Sequence, residues 1–432
     1  MDRTKGRSGC PRWGRWAFWV VAAALGPAAL AQSVILDDDR LIIQDASATT
    51  RVEIGTETIV EAIEIRVLGP GPDIQALING ILDASAAKHY VIRLGPGEYV
   101  LSSGLVMKPF VSLVGSGRQS TFLRAGAAII SVVSGADDMA LTDMTIENSG
   151  GAASTWTIFN SSASPTIARV TVIASGGNSN RGVYNSSSSP VMRDVTATAI
   201  GAETDQLNVG IHNLGSSPEM TRVIASASEG IVAYGVYNQD SSSPVMRIVT
   251  ASASDAGSAY AVYNRSSSSP TMTGVTATAS GGNNNGGVYN EESSSPVMRD
   301  VAATASGAVG TSYGVRNKSS SPKMTNVTAT ASQGLFSYGV SNESSSPVMT
   351  GVIATGSGGD TSRGVSNGAA SSPIIMDSVA KAENAALTNT GIHSINSSTR
   401  VYSTLVVGGV ANDDAGTQCH GVYDDTPAPI GC

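Results

Sequence analysis

Between residues 157 and 376 the apolar positions of the chain recur at a long interval, not at helical spacing. The unit Gly182-Val183-Tyr184-Asn185 returns at Gly210 to Asn213, Gly235 to Asn238, Ala261 to Asn264, Gly287 to Asn290, Gly314 to Asn317, Gly339 to Asn342 and Gly364 to Asn367, every 25 to 28 residues. A serine-rich turn and one proline follow each unit, from Pro165 and Pro190 to Pro347 and Pro373. Two residues after each proline stands Ile167, Met192, Met220, Met246, Met272, Met298, Met324, Met349 or Ile375, and in all but the last repeat a valine comes three further on. The pattern predicts three short strands per repeat. The first is Gly-Val-Tyr-Asn, and the second starts at the proline, where no ladder donor is needed. The third is Val-Thr-Ala-Thr-Ala-Ser with period-2 alternation. A two-residue bend such as Arg193-Asp194 separates the second from the third.

A fixed period of this length means a solenoid or an array. Gly, Pro and a serine run in every repeat exclude helical solenoids, and the leucine framework of leucine-rich repeats is missing. What remains is an all-β, single-stranded right-handed parallel β-helix with one rung per repeat, rungs stacking at about 4.8 Å. In such a stack Met, Val and Ala columns fill a narrow interior. Asn160, Asn185, Asn213, Asn238, Asn264, Asn290, Asn317, Asn342 and Asn367 form a ladder at a turn, where carboxamides can bond from rung to rung. Ahead of the repeats, Asp73 followed by Ile74, Leu77, Ile78, Ile81 and Leu82 reads as an N-cap and an amphipathic helix covering the open end of the solenoid.

Composition sharpens this picture. Charged residues are 14% and aromatics 5% of 432 residues, with 48 glycines, which disfavours helical bundles, coiled coils and membrane-spanning proteins. Residues 1-31 carry Arg3, Lys5, Arg7, Arg12 and Arg15, then an apolar run ending Ala29-Leu30-Ala31, and read as a signal peptide. The alternative, an uncleaved anchor, is opposed by the shortness of the run and by Pro27. Cleavage would leave 21 basic against 33 acidic residues, a net charge of −12, and no attraction to nucleic acid. The expectation is a secreted or cell-surface protein, or a periplasmic one, with no membrane span after cleavage. Its segments are 32-72 of unassigned structure, the β-helix at 73-405 and a C-terminal tail at 406-432. Cys419 and Cys432 are expected to close that tail as a disulfide in an oxidising compartment, the alternative being two free thiols.

Ile92-Arg93-Leu94-Gly95-Pro96-Gly97-Glu98-Tyr99, Phe110-Val111-Ser112-Leu113-Val114-Gly115-Ser116-Gly117 and Thr121-Phe122-Leu123 resemble the first rungs of the pectin-lyase-like superfamily, pectinesterases in particular. The later Ser-Ser-Ser-Pro-Val-Met and Val-Thr-Ala-Thr-Ala-Ser units are similar to those of repeat-rich secreted bacterial β-helix proteins. The resemblance implies the fold over residues 73 to 405, and polysaccharide as a substrate class. Its catalytic motifs are not readable here. Paired aspartates with Gln and Arg, carboxylate-held calcium with an arginine base, and Asn-Thr-Asp with Gly-His-Gly are all missing. Asp137-Asp138 alone is similar to one such element and reads as a loop pair. His89, His212, His393 and His420 lack metal-ligand spacing, so neither metal nor cofactor is expected.

One surface feature stands out. Alternation sends Tyr184, Tyr237, Tyr263 and Tyr289 outward, with His212 interrupting and Arg316 continuing the column. Two readings stand: a platform for sugar rings, or a stack that steadies neighbouring rungs. The functional expectation is a non-catalytic β-helix scaffold binding glycans or cell-envelope partners. The alternative is a polysaccharide-acting lyase, esterase or hydrolase.

Overall fold

The computed structural model describes residues 33-37, 40-44, 49-54, 59-125, 128-150, 153-201, 207-368, 370-412, 417-424 and 429-430. The leader, Cys10 and Cys432 lie outside the described residues. The chain forms a right-handed parallel β-solenoid of about 13 turns with rungs of about 26 residues. At the spacing of parallel strands it is roughly 60 Å long. Two faces run into one another as a 27-stranded sheet, and the third is a separate 13-stranded sheet. Among the described residues no helix is long and apolar enough to cross a membrane.

Three corners per rung close the coil, and each needs left-handed backbone. Asp143, Arg169, Asp194, Arg222, Gly274, Asp300 and Asn326 hold the corner between the second and third strands at φ of 52° to 62°. Asn, Asp and Gly adopt this conformation most readily, having a short polar side chain or none, and the repeat imposes it also on Arg169, Arg222 and Ile248 at the same corner. The corner consumes one residue, so strands such as Val245–Ser254 pass through it unbroken and the two faces merge.

Inside, the columns are dry. Met192, Met220, Met246, Met272, Met298, Met324 and Met349 stack in register with no exposed surface, flanked by the valine column and by Ala197, Ala225, Ala251 and Ala277. The missing proline N–H falls at a corner, while the proline carbonyl still accepts from the next rung, as that of Pro218 does from Val245 N–H at 3.1 Å. The asparagine ladder is continuous: each Nδ2 donates to the Oδ1 of the next rung at 2.8 to 2.9 Å from Asn160 to Asn367. It ends on the hydroxyls of Ser394 and Thr399.

The serine runs have a structural reason too. In one serine column the backbone N–H donates forward, Ser216 to Ser242 Oγ and Ser242 to Ser268 Oγ. In the neighbouring column it donates backward, Ser243 to Ser217 Oγ and Ser269 to Ser243 Oγ. Each turn is thereby bonded on both sides through hydroxyls small enough to fit between rungs spaced at strand distance.

The short N-terminal helix stands where the sequence places it, and the ladder extends on either side of the repeats. The helix is Ile74–Gly80, capped by the Asp73 carboxylate accepting from Ala76 N–H, and it buries Ile74 and Ile78. Ile81 already has extended backbone, so Leu82 leaves the stripe and is 88% exposed. The ladder also runs past both boundaries read from the repeat. Ile59–Val67 pairs in parallel with Lys88–Leu94, and Gln418–His420 pairs in parallel with Arg400–Tyr402. Both outer segments alternate apolar and polar residues without carrying the turn signature by which the repeat is recognised.

Candidate functional site

The 13-stranded face positions the aromatic residues. In Val232–Gln239 two consecutive residues, Gly235 and Val236, turn inward, so Tyr234 and Tyr237, three apart, share the outer side. Glycine makes that bend. At Gly210 a Cβ would lie 2.7 Å from the Gly235 carbonyl and 2.8 Å from the Ser226 nitrogen on the facing strand. Two outer columns result, joined in register. One is Tyr184, His212, Tyr237, Tyr263 and Tyr289; the other holds Tyr234 and Tyr260, with Trp156 before them and Tyr313 and Tyr338 after.

The columns interleave as one stack. Tyr234 lies against Tyr237 at 4.6 Å and against Tyr263 at 4.9 Å with ring planes 1° apart. Tyr260 sits between Tyr263 and Tyr289 at 5.4 and 5.3 Å. Tyr237 and Tyr263 are only 7% exposed and Tyr289 6%, so these rings do not stand open to solvent. Their faces, which a sugar ring would need, are taken by Tyr234, Tyr260 and the Arg316 guanidinium, 5.0 Å from the Tyr289 ring. Tyr184 keeps partial exposure between Phe159 and His212, with Arg181 over its ring at 5.1 Å. Strict alternation fails because of the paired inward residues; the legible signal was the spacing Tyr234-Gly235-Val236-Tyr237.

Burial governs the protonation of this stack. Tyr234, Tyr260 and Tyr289 are all pushed above the usual phenol value by desolvation. Burial, and then the charge of Arg181, lowers His212 to about 3. Arg181 Nε donates to His212 Nδ1 at 3.1 Å, which assigns the imidazole proton to Nε2. The unfolded chain takes up that proton near pH 6.5, while the folded one stays neutral to about pH 3. The contribution of His212 is thus complete above pH 6.5 and is lost as pH falls below it. Denaturant titrations should show the wild type losing about 2 to 3 kcal/mol more than His212→Tyr between pH 7 and 4.5. Equal losses would show that His212 is not held neutral.

A second arrangement lies on the 27-stranded sheet beside the corner between the second and third strands. The loop from Gly115 to Thr121 stands away from the coil and is pinned at its base: Ser116 N–H donates to Thr121 Oγ1 at 2.9 Å, and Ser116 Oγ to the Leu94 carbonyl at 2.8 Å. Thr145 Oγ1 donates to the Arg118 carbonyl at 2.7 Å, fixing the loop against the next rung. Between them lies a shallow, open cleft of about 660 Å³ lined by Gly117, Arg118, Gln119, Ser120, Thr145 and Thr171. The Arg118 guanidinium reaches the Asp194 carbonyl at 3.5 Å. The carboxylates along the adjoining corner are already committed. Asp143 takes a two-pronged bond from Arg169 at 2.6 Å, Asp194 one from Arg222 at 2.7 and 2.8 Å, and both are held below the usual carboxylate range by those bonds. The cleft offers donors and acceptors suited to hydroxyl groups.

The remaining candidates have structural places. Asp137 accepts from Ser164 N–H at 2.7 Å and so begins the backward serine column. His393 continues the tyrosine column, His89 contacts Phe110, and His420 stacks on Tyr402. Among the described residues no three His, Cys, Asp or Glu side chains converge as metal ligands. Cys419 is disulfide-bonded.

No family model and no curated protein matches the chain. Solved structures similar to it include the A-module of the mannuronan C-5 epimerase AlgE6 from Azotobacter vinelandii, at 16% identity over 82% of this chain and 95% of that one, with a TM-score of 0.43. The Dettilon tailspike protein is similar at 11% identity over 82% of this chain and 65% of that one, TM-score 0.41. The catalytic domain of a GH87 alpha-1,3-glucanase in complex with nigerose is similar at 12% identity over 77% of this chain and 64% of that one, TM-score 0.38.

Proposed function

We propose that the protein is an exported, non-catalytic β-helix scaffold that binds glycan chains in the cleft between the Gly115 to Thr121 loop and the Thr145 and Thr171 wall. The observation that carries this reading is the cleft itself: a polar concavity on a rigid coil, rimmed by a guanidinium, a carboxamide and hydroxyls. Ser116, Thr121 and Thr145 pin the loop backbone, so the ordering cost of binding falls chiefly on the exposed Arg118 and Gln119 side chains. The non-catalytic part is supported by the use of the nearby acids. Asp143 and Asp194 hold corner arginines, an arrangement that keeps both ionised and unsuited to donating a proton to a leaving group.

Titration of the purified protein against neutral and acidic polysaccharides should reveal a binder. Arg118→Ala should weaken that binding roughly ten- to hundredfold, the worth of a charged hydrogen bond, without changing the melting temperature. Absence of binding by the wild type, or an unaffected variant, would remove the cleft as the site. Release of reducing ends or unsaturated products would replace the scaffold with the polysaccharide-acting enzyme.

A further inference from the structure

The tyrosine stack has an internal organisation that rung stabilisation does not require. Tyr237, Tyr234, Tyr263, Tyr260 and Tyr289 follow one another with ring centroids 4.6 to 5.4 Å apart. The run is bounded by groups far harder to oxidise than phenol, His212 at one end and the Arg316 guanidinium at the other. Access is graded within it. Tyr234 and Tyr260 are partly exposed, whereas Tyr237, Tyr263 and Tyr289 are buried. Tyr263 is the hub, touching the other four rings. Its hydroxyl donates to the Glu291 carboxylate, whose side chain is 12% exposed and lies 3.5 Å from Arg265.

The geometry points to Tyr263 as a one-electron oxidation site: a sink to which the five-tyrosine run delivers an oxidising equivalent taken up from solution. A one-electron oxidant, such as an oxygen- or sulfur-centred radical or a high-potential metal complex, removes an electron from the accessible ring of Tyr234 or Tyr260 and is itself reduced by one electron. An electron from Tyr263 fills that vacancy through direct ring contact. As Tyr263 loses its electron, its phenolic proton moves along the existing hydrogen bond to Glu291. The products are a neutral Tyr263 phenoxyl radical, a protonated Glu291 carboxyl and a restored surface tyrosine. An oxidised phenol is a strong acid, so the hole settles where the proton has an acceptor; burial then keeps the radical from dimerising with that of another molecule.

The test uses the whole protein with ruthenium tris-bipyridine, persulfate and light as the oxidant, followed by freeze-quench electron paramagnetic resonance. A long-lived phenoxyl signal is expected, and Tyr263→Phe, which keeps the ring and removes only the hydroxyl, should lose most of it. Glu291→Gln preserves a hydrogen-bond acceptor but no proton acceptor; it should shorten the radical lifetime and abolish the solvent deuterium effect on its formation. A structural role alone would move neither readout while circular dichroism stays unchanged. Undiminished radical yield in Tyr263→Phe would overturn the assignment, as would prompt dityrosine formation by the wild type. Should Tyr263→Phe fail to fold, the Glu291→Gln lifetime decides, and an unchanged lifetime rejects the site.

Discussion

Met246→Asp should yield no folded protein in the soluble fraction. Met246 has no exposed surface and lies in register between Met220 and Met272, in a column that contains no polar atom able to receive a carboxylate. The substitution both removes the packing of a large side chain and places an unpaired charge in a dry interior. That penalty is several kcal/mol, comparable with the whole stability of an ordinary domain. Expression followed by far-UV circular dichroism checks it, with Met246→Leu as the control expected to cost less than about 1.5 kcal/mol. A soluble aspartate variant with unchanged melting would mean that the column is not the core.

The second large effect is expected at Asn264. Its Oδ1 accepts from Asn238 and its Nδ2 donates to Asn290, both at 2.8 Å and both out of contact with water. Asn264→Ala removes two hydrogen bonds and strands one donor above and one acceptor below. At about 1 to 3 kcal/mol for each stranded group, the loss is about 2 to 6 kcal/mol. Because each rung contacts chiefly its neighbours, the damage should be local. Hydrogen exchange should lose protection between residues 238 and 290 before it changes near Met192 or Val401. A uniform change, or none, would contradict a ladder that acts rung by rung.

The repeat made much of the coil legible. Met192 to Met349, Val195 to Val352 and Asn185 to Asn367 each occupy one environment copied many times, so identity at a fixed spacing reports burial directly. Three features escaped because their cause is not periodic alternation. The paired inward residues Gly235 and Val236 bring Tyr234 beside Tyr237, so that the second column covers the faces of the first. The Gly115 to Thr121 loop occurs once, so no neighbouring rung reveals that Arg118 overhangs a cleft. Leu82 continues a helical stripe on paper, but the helix has ended by Ile81, where the cap carbonyl of Ile78 is taken by the backbone.

The direction of the side-chain bonds sets what the coil can become over generations. Every asparagine of the ladder donates the same way along the axis, and the two serine columns donate in opposite ways, so each repeat rung presents one surface that fits the opposite surface of its neighbours. Copying or excising a whole repeat rejoins like with like: carboxamide to carboxamide, hydroxyl to amide, methionine to methionine. Length is therefore a heritable variable that unequal recombination can lengthen or shorten in single steps, while the loop at Arg118 and the hydroxyl end of the ladder at Ser394 and Thr399 stay as they are.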